Sequence, residues 1–376
     1  MQYTEYELGE LLPFEQPTAY IVKSTDYSDA YATPVLTAGK SFILGKTNET
    51  DGIFDQLPVI IFDDFTTATQ FVNFRFKVKS SAMKILHINT DLVIPKYIFY
   101  RLQIIQFDHS THKRYWIQSY SKIKVLIPPL DEQVRIVARI EELFSELDKA
   151  VDTLKTTKEQ LEVYRQAVLK EIFDSVSTTS VHIKDVCLDI KVGIVIKPTQ
   201  YYISENGVPA FRNANVRRGY INDTDWVMIS KEGHQQNCRS EVHTNDVLIS
   251  RSGANLGMAS VVPARYNGYN AIDVVIAVPD ISKVIPEFLA QYTNSPMGRA
   301  IVKKNERGAA QGHLNVSAYA NLPIGVPDLQ EQEKLVKQIS DRLSVCDSIE
   351  KTVDTALAQA DAMRQSILKQ AFEGTM

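Results

Sequence analysis

The sequence predicts an α+β fold: two mixed α/β blocks joined by two long helices, packed as an antiparallel coiled coil about a pseudo-twofold axis. Three observations carry this. The stretch from Ile127 to Phe173 recurs without a gap from Val326 to Phe372 at an offset of 199, and a repeat of that length marks a duplicated structural unit. Pro128/Pro327, Glu132/Glu331, Gln133/Gln332, Asp148/Asp347, Arg165/Arg364 and Phe173/Phe372 are among its identities. Next, no Gly or Pro interrupts Leu130 to Val192, and apolar side chains recur at Val137, Ile140, Phe144, Leu147, Val151 and Leu154 in alternating steps of three and four, the spacing of a coiled coil. Last, the sequence outside the repeat alternates short β-like runs with turns. The expected division is 1–126, 127–176, 177–325 and 326–376.

In the first block, Val59-Ile60-Ile61-Phe62 reads as a buried strand closed by Asp63-Asp64. Phe71 to Lys79 alternates as a half-exposed strand, and Ile85-Leu86-His87-Ile88 is a further strand. Pro95 to Leu102 reads as a short helix with proline in its first turn. Ile123 to Ile127 forms the strand that enters the first repeat. The helix that follows has Asp131 and Glu132 in its first turn, where the dipole favours acids. Leu161, Val168 and Ile172 extend its seam, which Lys158 and Arg165 interrupt. Ser175-Val176-Ser177-Thr178-Thr179-Ser180 is a polar linker.

In the second block, Gly207 to Val216 reads as strand then loop, and Asn245 to Gly253 as turn, buried strand and polar loop. Pro286-Glu287-Phe288-Leu289 matches Pro95-Lys96-Tyr97-Ile98 as a helix start, and Tyr319 matches Tyr120 at the repeat offset, so the blocks are expected to share a fold. The second helix repeats the seam at Val336, Ile339, Leu343, Cys346, Val353, Leu357, Ala360 and Ile367, interrupted by Glu350 and Arg364 and stopped at Gly374. A helix of about 44 residues is roughly 65 Å long. With one apolar face it needs a partner. The other copy is the expected partner; a separate protein is the rival.

The 376 residues suggest two or three domains, and 44% hydrophobic content is ample for their cores. No apolar run approaches the roughly 20 residues that cross a bilayer, and the first residues carry no signal-peptide pattern. Cys187, Cys238 and Cys346 lie far apart without a CxxC pair, which speaks against a disulfide framework or zinc site and fits a reducing, cytoplasmic setting. Residues 1–130 balance in charge, 131–174 carry −4, 180–325 carry +3 and 328–373 carry −3. A polyanion would therefore meet the blocks rather than the helices.

Catalytic signatures are missing. Gly253-Ala254-Asn255-Leu256-Gly257-Met258 lacks the lysine of a phosphate loop, and no HExxH, GxSxG or GxGxxG stands in a fitting context. Pro128-Pro129 lacks the flanks of an amino-methyltransferase motif. Gln332 stands where a nuclease metal site would need its second acid. His109 and His112 beside Asp108 read as a polar surface loop, and Asp63-Asp64 as a strand end with a turn. What remains is a binding surface. Guanidiniums and amides read base edges and hold phosphates, and they gather at Arg212, Asn213, Asn215, Arg217 and Arg218. Arg251 and Ser252 form a second cluster, and Arg307, Gln311 and His313 a third. Thr66, Thr67, Thr69, Lys79, Ser80, Lys113, Arg114 and Tyr115 are their counterparts in the first block.

These residues resemble a known family. The Ile-Pro-Pro-Leu-Asp-Glu-Gln start at 127–133, its second occurrence at 326–332, and the ends Arg165 to Lys170 and Arg364 to Lys369 are similar to the two conserved regions of type I restriction–modification specificity subunits. Val247 to Gly253 with Gly257 resembles one type of that family's target recognition domain, and Pro58 to Thr67 with Phe76 to Leu86 another. Asp328 departs from the pattern of the first copy, which has Pro129. The resemblance implies a non-catalytic subunit whose two recognition domains each read one half of a split, asymmetric site in double-stranded DNA. It implies helices that set the spacer and dock two methyltransferase subunits, with restriction and translocase subunits joining them. No cofactor is expected on this chain: S-adenosylmethionine, ATP and Mg would sit on the partners, and no membrane is involved. The other class that fits the residues alone is a coiled-coil scaffold carrying two peptide- or protein-binding domains.

Overall fold

The structure, a computed structural model, describes residues 3–37, 41–108, 114–176, 178–305 and 313–374, with backbone alone for 301–305. Ser177, His109, His112, Lys113, Arg307 and Gln311, which the sequence reading used, lie outside the described residues. The chain forms two compact units, Met1–Leu154 with Thr355–Met376, and Lys155–Asp354. This differs from the division by sequence, whose boundaries fall where strands meet helices. Compactness instead cuts each long helix near its middle, because each half buries its apolar face within its own unit.

The first unit runs β1 (Thr4–Glu7), α1 (Leu8–Leu11), β2 (Phe14–Glu15), β3 (Thr33–Leu36), β4 (Ile43–Thr47), β5 (Val59–Asp63), β6 (Thr69–Val72), β7 (Lys77–Val78), β8 (Met83–Leu86), α2 (Pro95–Leu102), α3 (Tyr115–Gln118), β9 (Lys124–Ile127) and the start of α4 (Leu130–Asp174). An antiparallel sheet has the order β2-β8-β5-β6, a second sheet the order β4-β3-β7 with β3 and β7 parallel, and β1 pairs with β9. Both faces of β5 are buried, which is why its sequence is continuously apolar. Ile60 and Phe62 pack with Tyr97, Trp116 and Tyr120, while Val59 and Ile61 pack with Phe54, Val72 and Phe76.

The alternating run from Phe71 to Lys79 is two strands rather than one. The chain leaves β6 for the other sheet at β7, and Phe76 stacks on Phe54 with centroids 5.0 Å apart. Lys77 is consequently buried, with its ammonium 3.1 Å from Glu49.

The second unit runs β10 (Ser180–His182), β11 (Cys187–Val192), β12 (Tyr202–Ile203), β13 (Val208–Phe211), β14 (Val227–Ile229), α5 (Lys231–Gln236), β15 (Val247–Ser250), β16 (Ala259–Val261), β17 (Asn270–Ala271), β18 (Val274–Pro279), α6 (Pro286–Asn294), α7 (Pro296–Asn305), α8 (Val316–Ala320), β19 (Pro323–Gly325) and the start of α9 (Leu329–Glu373). Its sheets are β11-β18-β15-β16, β12-β14-β13-β17 with β13 and β17 parallel, and the pair β10-β19. Strand for strand this repeats the first unit, with β12 added. The expected shared fold is present although the loops differ.

The repeat is equally literal at the helix starts. Gln133 is fully buried; its carbonyl oxygen accepts from the Ile94 amide at 2.8 Å, and its NH2 donates to the Leu92 and Pro128 carbonyls at 3.0 and 2.9 Å. Gln332, equally buried, makes the same bonds to Ile285, Lys283 and Pro327 at 2.8, 2.9 and 2.8 Å. Each glutamine thus fastens a long helix to the turn that precedes a proline-started helix. The departure at Asp328 is a helix cap: its Oδ1 accepts from the Glu331 amide at 2.9 Å.

In each unit the two helix halves run antiparallel. In the second, Lys158 meets Asp354 at 2.7 Å, Arg165 meets Asp347 at 2.7 Å, and Arg342 meets Glu171 through two 3.0 Å bonds. In the first, Arg364 meets Asp148, the repeat-equivalent of the Arg165–Asp347 pair. The charges that interrupt the seam are therefore its cross-helix ion pairs. Ile140 and Ile339 are fully buried where a block adds a third wall, whereas mid-helix Leu147, Val151 and Leu154 are half-buried. No helix among the described residues is long and apolar enough to cross a membrane.

Candidate nucleic-acid interface

In the first unit three loops converge. The β5–β6 hairpin turns on Asp63, whose Oδ1 accepts from the amides of Phe65 at 2.8 Å and Thr66 at 3.3 Å, with Thr67 left-handed at φ 59°. This presents Phe65 and Thr66 to solvent. The segment after β7 carries exposed Lys79 and Ser80, and the Ala82 carbonyl accepts from the Asp64 amide at 3.3 Å. The third segment leads into α3: the Asp64 carbonyl accepts from the Tyr115 amide at 3.0 Å, and its Oδ1 from the Trp116 amide at 2.9 Å, which leaves Arg114 exposed beside the hairpin.

The second unit brings the equivalent three loops together. The β15–β16 connection carries Arg251 and Ser252. Asp273 follows β17, as Lys79 follows β7. The Arg251 carbonyl accepts from the Leu314 amide at 2.8 Å, as Asp64 does from Tyr115. Leu314 and Tyr115 are themselves partners at the repeat offset of 199. His313, exposed, is thus the counterpart of Arg114. Asn213 stitches the cluster: its Oδ1 accepts from the Ser250 hydroxyl at 2.9 Å and the Arg251 amide at 2.8 Å, and its NH2 donates to Ser252 Oγ at 2.8 Å. Arg251 is ion-paired to Asp273 at 3.1 Å.

Several expected contacts have internal duties instead. Tyr115 is 4% exposed, its ring 5.0 Å from Phe107, because the segment enters the core at that residue. Asn215 is fully buried: its oxygen accepts from the Arg212 amide at 2.9 Å and its NH2 serves the Asn222 and Thr224 carbonyls at 3.1 and 2.9 Å. Asn213 has both ends of its amide engaged, so neither asparagine is available for a base edge. Thr69 accepts from Gln103 at 2.6 Å on β6, off the hairpin tip. Arg218 pairs with Glu162 on α4, and Arg212 donates to the Asp225 carbonyl. Arg217 is half-buried with a long 3.5 Å bond to the Val216 carbonyl.

Other residues escaped the sequence reading. Asp273 is one. Lys84 is another: it forms a buried ion pair with Asp64 at 3.3 Å, each side chain 1% exposed. Asp63 caps a turn, and Asp64 forms the ion pair with Lys84. Arg299 has a buried Nη1 without a hydrogen-bond partner, and burial, aided by nearby Arg218, holds its guanidinium below the usual arginine range. Among the described residues, no group of three His, Cys, Asp or Glu side chains is placed to hold a metal.

Residues 2–163 and 170–359 match the family described as the type I restriction modification DNA specificity domain. The chain is 45% identical over 174 residues to the type I restriction enzyme EcoR124I/EcoR124II specificity subunit of Escherichia coli, covering 43% of each chain. It is 27% identical over 274 residues to the EcoBI specificity subunit of Escherichia coli, covering 66% of this chain and 58% of that one. It thus spans about half the length of these relatives. A chain solved in work on complex assembly and conformational transition of the type I R-M system has the same fold, with a TM-score of 0.69 over 100% of this chain and 98% of that one at 19% identity. Because the two matched segments take in most of the sequence, one in each copy of the repeated fold, the chain belongs to the family of type I restriction modification DNA specificity domains.

Proposed function

We propose that this chain is the sequence-reading subunit of a type I restriction–modification assembly, each unit reading one half of a bipartite, asymmetric target in double-stranded DNA. The observation that carries this is the placement of the candidate loops. The hairpin loop, the segment after the parallel strand and the segment before the short helix converge in both units, built on the same strands from unrelated sequences. A constant frame carrying different loops suits two ligands of one chemical class. In the first unit the cluster offers Thr66, Lys79, Ser80 and Arg114, hydroxyls and cations suited to phosphates and base edges. In the second it offers Arg251, Ser252 and His313.

α4 and α9 set the separation of the two half-sites. Each is a continuous helix of 45 residues that contributes to both units. They also dock two modification subunits on equivalent surfaces: Tyr164 and Met363, partners at the repeat offset, are 46% and 54% exposed. Recognition is this chain's part. S-adenosylmethionine belongs with the modification subunits, and ATP with magnesium belongs with restriction and translocase subunits.

The test is selection of duplexes from a randomised library by the full-length chain. The expected outcome is two short conserved elements separated by a fixed unconserved gap, with affinity that falls steeply as salt rises. A chain that binds no duplex at low salt, or selects a single uninterrupted element, would refute the proposal.

A further inference from the structure

The Arg251–Asp273 pair has a geometry that distinguishes base reading from phosphate holding. Asp273 sits between β17 and β18 with φ 51°. Its carboxylate accepts from Asn213 Nδ2 at 3.3 Å and the Ser252 hydroxyl at 3.4 Å, and it is ion-paired to Arg251 Nη1 at 3.1 Å. The Arg251 Nε is enclosed, without a hydrogen-bond partner among the described residues. Its backbone is pinned on both sides, the amide to Asn213 Oδ1 and the carbonyl to the Leu314 amide. The guanidinium is therefore oriented before any ligand arrives, and Nη2 bonds to none of the described residues. Its charge is also neutralised, since Asp273 lies against it.

A neutralised guanidinium contributes little to counterion release, the term that drives phosphate binding. Its donors keep their direction. Nη2 is left for a ligand, and the base edge that a guanidinium reads best is the O6 and N7 acceptors of guanine in the major groove.

We infer that Arg251 reads a guanine in the half-site of the second unit, and that Asp273 is the positioning residue that holds it for that task. This rests on the proposed DNA-reading function and adds the base and the residue that orients its reader.

The experiment repeats the library selection with the full-length wild-type chain, Arg251→Ala, Asp273→Asn and the double variant. Asn tolerates positive φ as Asp does, so Asp273→Asn preserves the backbone. Wild type is expected to require guanine at one position. Both single variants should lose that preference by about tenfold or more, with the other half-site unchanged. The double variant should be no worse than Arg251→Ala alone, since Asp273 acts through Arg251. Arg251→Gln, a milder change, gives the same readout if Arg251→Ala fails to fold.

An Asp273→Asn chain that still requires guanine makes the pair purely structural and overturns the inference. So does an Arg251→Ala chain weakened equally on all duplexes with its base preferences intact. Wild type that selects two half-sites without the guanine overturns this inference alone, whereas wild type that selects no duplex overturns the proposed function with it.

Discussion

Replacing Gln332 by alanine removes a side chain that is fully buried and makes three hydrogen bonds, to the Ile285 amide and to the Lys283 and Pro327 carbonyls. Each buried partner left without a bond costs about 1 kcal/mol or more, so the loss is about 3 kcal/mol. For a unit of this size that is roughly 6–12 °C in the midpoint of thermal unfolding. Calorimetry on the full-length chain measures it, and amide exchange at Ile285 localises it. Gln332→Glu sharpens the test because its volume is unchanged. A carboxylate there faces two carbonyl oxygens, which raises its pKa in the folded state above its unfolded value. Its protonated form is then favoured by folding, so the variant is least destabilised at acid pH and loses stability as pH rises through the folded pKa. Gln133→Ala should cost the first unit a similar amount, since its three bonds are the same. A Gln332→Ala chain within about 1 kcal/mol of wild type, or a pH-independent Gln332→Glu, would refute this account of the helix anchor.

The remaining predictions concern the core and the surface. Asp64→Ala strands the buried Lys84 ammonium and should destabilise the first unit by about 3–5 kcal/mol in urea unfolding, with much of the loss recovered on adding Lys84→Met. Burial, aided by Asp280, pushes the Cys187 thiol up to about 12. At pH 8 iodoacetamide should therefore modify exposed Cys238 and leave Cys187 as thiol until the chain is unfolded, as peptide mapping would show. Lys79→Ala and Arg114→Ala should each lower the slope of log affinity against log salt by about 0.9 on a selected duplex. Arg251→Ala combined with Asp273→Asn should leave that slope nearly unchanged, because the pair it removes carries no net charge.

Much of the architecture is legible in the sequence because it obeys periodicity. The helices, their seam and the buried strands at Val59 and Val247 follow from apolar spacing alone, and the ungapped repeat announces the shared fold. What escapes is tertiary in origin. Gln133 and Gln332 are visible as repeat identities, but a glutamine after two polar residues reads as surface, and its clamp depends on a turn some 40 to 50 residues away. Lys77 and Lys84 look like exposed strand residues, but both are buried, Lys77 on β7 of the second sheet and Lys84 on β8 of the first. Tyr115 borrows a surface reading from its basic neighbours, and Asn213 and Asn215 borrow theirs from Arg212. The two asparagine amides satisfy loop backbone groups and the Tyr115 ring packs in the core, demands that local composition cannot express. Asp273 has no local signal at all: it matters because β17 brings it against a loop more than 20 residues earlier in the chain.

The central claim is that α4 and α9 measure the gap between two half-sites. Inserting four helix-forming residues after Leu154 and four after Asp354 adds about one turn, roughly 6 Å, to each helix. That is close to two base-pair steps of 3.4 Å. Library selection with this chain should return the same two half-sites with the gap lengthened by one or two base pairs. Recovery of the original gap with undiminished affinity would contradict the account.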